Sequence, residues 1–159
     1  MFRVRIAHLS DGLHQETLTP SADELGLDPE VFSDVSVDLH LDIADRRVLA
    51  AFTATATARL ECDRTLDLFD QPVEGSHSVL FSADTPPDGE DVFALADDAQ
   101  ELDLTAPVHD TLVLALPLRR VSPAAREAEI PTAFGGPSED EPADDRWAAL
   151  KALRGSDTD

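Results

Sequence analysis

Residues 48–81, VLAAFTATATARLECDRTLDLFDQPVEGSHSVLF, alternate apolar and polar side chains with a period of two. Val48, Ala50, Phe52, Ala54, Ala56, Ala58 and Leu60 fall on one face, and Thr53, Thr55, Thr57 and Arg59 on the other. That is the pattern of a half-buried strand. Beyond Cys62-Asp63-Arg64-Thr65, the residues Val73, Gly75, His77, Val79 and Phe81 alternate with Glu74, Ser76, Ser78 and Leu80. Two long strands joined by an acidic connection follow. Leu66, Leu68 and Phe69 sit among the acids of that connection. They need something to pack on, either their own sheet or a partner.

Residues 34–43, DVSVDLHLDI, place Val35, Val37, Leu39, Leu41 and Ile43 on one side and Asp34, Ser36, Asp38, His40 and Asp42 on the other. Ala44-Asp45-Arg46 is the turn into the next strand. Strands at 34–43, 47–61 and 71–82 therefore form an antiparallel meander with one apolar and one wet face. Upstream, 2–8 reads as a strand, Asp11-Gly12 as a turn, and 13–18 as a returning strand. Ser21 and Glu24 have capping-box spacing ahead of a short helix at 22–27, and a further helical turn is expected from Glu30 to Ser33. Residues 84–101 read as a surface loop holding a short edge strand at Val92, Phe93 and Leu95. Leu104, Val108, Leu112 and Leu116 recur every fourth residue, which predicts a helix over 105–115 with Thr105 as N-cap and Pro107 in the first turn. Pro117 ends it. This helix should cover the sheet. The fold class is α+β, with 1–118 as a single domain. Residues 119–143, rich in proline and acids, read as a flexible tail. Residues 144–155 read as a short amphipathic helix with Trp147, Leu150 and Leu153 on one stripe and Lys151 and Arg154 in its last turn.

The chain has 159 residues and a formal net charge of −21, with Lys151 its sole lysine. Such a charge repels phosphate backbones, so unaided RNA binding should be weak. It fits either a basic partner or adaptation to a salt-rich, halophilic interior, where screening relieves self-repulsion. No stretch is long and apolar enough to span a membrane, and the first residues lack a signal-peptide core. One cysteine, Cys62, excludes an intramolecular disulfide. These features point to the cytoplasm, with no membrane and no DNA as partners.

Catalytic signatures are missing. The five histidines stand apart from one another with no metal-ligand spacing, and no Gly-rich phosphate loop occurs. No catalytic residue, metal or other cofactor is expected. Cys62 would be a nucleophile only beside an activating histidine; the ordinary reading is a buried small hydrophobe. Arg59 and Arg64 flank Cys62, and Arg119-Arg120 follow the main helix. In so negative a chain an arginine ordinarily answers a carboxylate; its functional reading is a contact to RNA phosphate or to a partner.

The segment ARLECDRTLDLFDQPVEGSHSVLFSA resembles the hairpin of the YceD family, the bacterial large ribosomal RNA subunit accumulation proteins. Where that family usually has Cys-x-Arg-Cys, this chain has Cys62-Asp63-Arg64-Thr65. ELDLTAPVHDTLVLALPL (101–118) is similar to the family's next signature, and DDRWAALKAL to its closing segment. The cysteine cluster that many members carry before the last helix is missing, so no zinc is expected. The resemblance implies a non-enzymatic role in accumulation or processing of large-subunit (23S) ribosomal RNA and in ribosome assembly. The expected partner is a ribosomal protein, an assembly factor or a pre-large-subunit particle, with direct RNA contact left open. The candidate partner-binding residues are Arg59, Cys62, Asp63, Arg64, Arg119, Arg120, Trp147, Leu150 and Lys151. Two rival functions are an acidic, nucleic-acid-mimicking chaperone for a basic protein and a metal-dependent nuclease using clustered aspartates.

Overall fold

A computed structural model describes residues 1–84, 91–96 and 98–128. Met1–Arg126 is one compact unit and Glu127–Asp159 a second, nearly all of which lies outside the described residues. The expected helix at 144–155 and most of the expected tail are therefore not described.

The meander is as its alternation requires. Strands β2 (Gly12–Leu18), β3 (Phe32–Ala44), β4 (Arg47–Glu61), β5 (Leu68–Ser82) and β6 (Val92–Ala94) form one five-stranded sheet in the order β2-β3-β4-β5-β6. All neighbours are antiparallel except β5 and β6, which run parallel. A second, two-stranded sheet pairs β1 (Arg3–Arg5) with β7 (Glu101–Asp103). The class is α+β. Two sequence expectations differ from this. The strand at 2–8 shrinks to three residues and does not turn back onto 13–18; it pairs with residues about a hundred positions later. Segment 13–18 instead pairs with β3 and takes up that strand's backbone edge. The expected helical turn lies slightly earlier, at 28–32: the Asp28 carbonyl accepts the Val31 and Phe32 N–H groups at 3.0 and 2.8 Å, Asp28 Oδ1 accepts the Glu30 N–H at 2.9 Å, and β3 already starts at Phe32.

The helix α1 (Thr105–Leu114) lies on the apolar face and buries Pro107, Val108 and Leu112. Fully burying residues such as Val108 and Leu112 contributes about 1.5–3 kcal/mol each. The sheet makes room for it with small residues. Ala50, Ala54, Ala56 and Ala58 of β4 are buried, and Ala54 is paired directly with Gly75 of β5. A Cβ on Gly75 would meet Thr111 Cγ2 at 2.6 Å and the Thr111 carbonyl oxygen at 3.1 Å. Gly75 is therefore a point of close approach between sheet and helix. Thr105 is the first helical residue rather than the cap. Its N–H donates to Asp103 Oδ1 at 3.0 Å, and its hydroxyl oxygen accepts the Phe2 N–H at 2.8 Å, which ties the N-terminal strand to the helix start. Burial pushes the Asp103 carboxyl up, but hydrogen bonds from Thr105 and the charge of Arg3 outweigh it and hold the group below its usual range.

The capping box forms as its spacing requires. The Ser21 N–H donates to Glu24 Oε2 at 2.8 Å and the Glu24 N–H to Ser21 Oγ at 3.3 Å. The turn it starts is a 3-10 turn, Asp23–Leu25, closed by Gly26 in the left-handed conformation. The backbone N–H and then the hydroxyl of Ser21 lower the Glu24 carboxyl.

Candidate functional site: a clasped hairpin end

The hairpin of β4 and β5 is fifteen residues long on each side, so its tip would extend past the sheet's other strands unless something held it. Residues 119–126 hold it. The Asp63 N–H donates to the Arg120 carbonyl at 2.7 Å, and the Arg120 N–H returns to Asp63 Oδ2 at 2.7 Å. The Ser122 N–H points at Cys62 Sγ, 3.4 Å away. The Arg64 guanidinium donates to the Ala125 carbonyl. Underneath, Cys62, Val121 and Ala125 form a small buried cluster with Phe69 packed against it. Arg64's donation satisfies a carbonyl at the end of a short helix, α2 (Pro123–Glu127), where a cation is favoured. That helix starts with Ser122, whose hydroxyl accepts the Ala125 N–H at 3.2 Å, and with Pro123 in the first position, where a missing N–H costs nothing.

The candidate residues divide by this arrangement. Cys62 is fully buried. Hydrogen bonds from Thr65 and then from the Ser122 N–H outweigh desolvation and lower its thiol to about 6. It has no solvent access, so it packs and accepts hydrogen bonds rather than meeting a ligand. Arg64 is half-buried and committed to the clasp, while Arg59, Asp63, Arg119 and Arg120 are exposed. The structure brings Cys62, Asp63, Arg64, Arg120 and the 121–125 turn together; Arg59 lies further back on β4, its position paired with Asp70. Trp147, Leu150 and Lys151 lie outside the described residues. Of the tip's apolar residues only Phe69 goes inward. Leu66 and Leu68 are 71% and 59% exposed, and Leu118, just before the clasp, is fully exposed.

Sequence reasoning gave 119–128 no element, and the missed signal is Ser122-Pro123. A serine cap followed by proline starts a helix, but five residues among further prolines carry no apolar periodicity to reveal it. Leucines 66, 68 and 118 were visible as residues, but that they stay exposed on a clasped end was not, because the clasp joins positions far apart in the chain.

A family model described as large ribosomal RNA subunit accumulation protein YceD matches residues 50–154, about two thirds of the chain. The chain belongs to this family. No curated protein and no solved structure matches it. The match starts in β4 and includes the hairpin, α1 and the clasp, so the YceD region holds the whole candidate site, while β1 to β3 precede it. Membership assigns the chain a role in accumulation of large ribosomal RNA. Among the described residues no group of three or more His, Cys, Asp or Glu side chains is placed to hold a metal ion, and no helix is long and apolar enough to cross a membrane.

Proposed function

We propose that this YceD protein is a non-enzymatic, cytoplasmic factor that supports large-subunit RNA by binding a basic ribosomal protein or assembly factor within the large-subunit precursor. The observation that carries the reading is the exposed set Leu66, Leu68 and Leu118 beside Arg119 and Arg120 on an end fixed by the clasp. Leucines at that exposure cost free energy in water and recover it in an interface, and arginine is enriched among interface residues. A fixed surface also loses less conformational entropy on binding than a mobile one. The net charge of −21 steers a basic partner toward the protein from a distance. Trp147, Leu150 and Lys151 are further candidate contacts on the sequence pattern alone.

The test is sedimentation of the tagged protein from lysate at native salt. Co-migration with immature large subunits is expected, and its loss in Leu118→Asp or in Arg119→Ala with Arg120→Ala, which remove the contacts without reversing charge, with thermal unfolding unchanged. Wild type confined to the top of the gradient, or variants that co-migrate as well as wild type, would refute the assignment of this surface.

A further inference from the structure

A groove runs along α1 on the side away from the clasp. One cavity of about 750 Å³ lies between the 3-10 turn, the start of α1 and β6. A second, of about 530 Å³, continues it along β5. The two share Phe93, Ala106, Pro107 and Asp110 as walls. Volumes of this size suit the anchor side chains of a bound segment. The floor is apolar: Phe81 and Phe93 stack with ring centroids 5.3 Å apart, Pro107 is buried beside them, and Leu114 closes the far end, 83% exposed.

Acidity of the rim alone is no argument, since acids lie all along this chain. What differs here is how the charges are used. Glu24 is committed to the capping box and Asp103 to Thr105 and Arg3. Asp23, on the 3-10 turn, and Asp110, on α1, have no ion-pair cation or side-chain hydrogen-bond donor among the described residues. The described lining holds no arginine or lysine. The charge of the Met1 amino group acts on Glu24 and Asp103, and of the two imidazoles His109 is directed at the Leu25 carbonyl at 3.1 Å and His77 at Asp91 Oδ1 at 2.8 Å. Among the described residues, an apolar floor bordered by two uncompensated carboxylates is complementary to an apolar side chain flanked by cations.

We infer that this groove docks a cationic segment of the protein partner proposed above, one that places an apolar side chain over Phe81 and Phe93 and lysine or arginine groups at Asp23 and Asp110. The inference rests on that reading for the partner's class but concerns a different surface. The floor supplies affinity by burying apolar area, and the two carboxylates fix the orientation of the segment.

The probe is a labelled peptide with lysines on either side of a Leu-Phe pair, titrated into the full chain. Saturable binding is expected. Ala106→Trp, an exposed helical position that fills the groove, should abolish it. Asp23→Lys with Asp110→Lys should weaken it about tenfold, the loss expected when two partly desolvated attractions are reversed. Glu16→Lys with Asp42→Lys, on β2 and β3 at the other side of the sheet, makes the same change in net charge and should leave affinity nearly unaltered. Equal weakening by both pairs would mean that the peptide reads only net charge, and full binding by Ala106→Trp would mean that the groove is not its site; either overturns the inference. The gradient experiment separates this from the partner reading. If wild type fails to co-migrate with precursors while the peptide binds as described, the groove stands and the partner class falls. If wild type and Ala106→Trp co-migrate equally, the groove is not where that partner docks.

Discussion

Gly75→Ala tests the account of how α1 sits on the sheet, because two effects of opposite sign compete. Alanine is better than glycine in a strand interior by about 0.5–1 kcal/mol, since it restricts the unfolded chain. Against this, the new methyl would sit 2.6 Å from Thr111 Cγ2 and 3.1 Å from the Thr111 carbonyl oxygen. A flexible side chain would swing away from such a contact. Thr111 is β-branched, and its hydroxyl donates to the Pro107 carbonyl at 2.7 Å, so turning it breaks that bond. The carbonyl is backbone and moves only with the helix. Overpacking of this kind costs about 1–3 kcal/mol; set against the glycine-to-alanine gain of about 0.5–1 kcal/mol, the net expectation is a loss of up to about 2.5 kcal/mol, centred near 1 kcal/mol. For a unit of this size that lowers Tm by about 4–8 °C. Denaturant unfolding and calorimetry measure it. Adding Thr111→Ala, which removes the nearer obstacle but not the carbonyl, should return part of the loss, giving a coupling between the two sites. A Gly75→Ala variant as stable as wild type, or more stable, would show that the helix is free to shift and that Gly75 does not set its distance.

Asp63→Ala removes the acceptor of the Arg120 N–H and should cost about 1 kcal/mol, read as faster tryptic cleavage after Arg119 and Arg120; unchanged cleavage would mean the clasp does not depend on this carboxylate. Cys62, lowered to about 6 in the fold, has a folded pKa below its unfolded one, so the unfolded state binds more protons between about 6 and the ordinary thiol value near 8.5. Stability relative to Cys62→Ala should therefore rise with pH across that window and be lost as pH falls through 6; a pH-independent difference would refute it. Because the thiol is fully buried, it should react with iodoacetamide only on unfolding in spite of its low pKa, and rapid labelling of native protein would contradict the packing described. Melting temperature should rise from dilute buffer to molar potassium chloride if the charge of −21 reflects salt adaptation, and a flat response would remove that explanation.

Local pattern carried the meander. Alternation from Val35 to Ile43 and from Val48 to Leu60 decided both the strands and which face they bury, because a slip of one residue would invert every side chain. α1 was legible for the same reason, through Val108 and Leu112. The failures occur where pairing is set by tertiary contacts. Three residues around Val4 cannot declare their partner, and Asp11-Gly12 offered a nearer hairpin than the one used with Leu102. At the clasp, Asp63 and Arg64 were singled out as charged residues beside Cys62, but their partners lie near Arg120 and Ala125, on a stretch whose composition reads as tail. The groove was invisible for a further reason. It is bounded by Asp23, Phe81, Phe93 and Asp110, from four separate elements, and concavity has no sequence signature.

The pairing of β1 with β7 has a consequence for synthesis. Arg3 and its partner Asp103 are separated by 100 positions. At about 5–20 residues per second, the ribosome makes the first strand about 5–20 s before its mate exists. During that interval Phe2 and Val4, buried in the finished protein, have no strand to lie against. The five-stranded sheet can assemble from neighbours as they emerge, while the two-stranded one must wait for the chain to come round. β1 is thus among the last parts to settle, and a chain ending before residue 101 would hold the strands of the large sheet with Phe2 and Val4 still open to a chaperone.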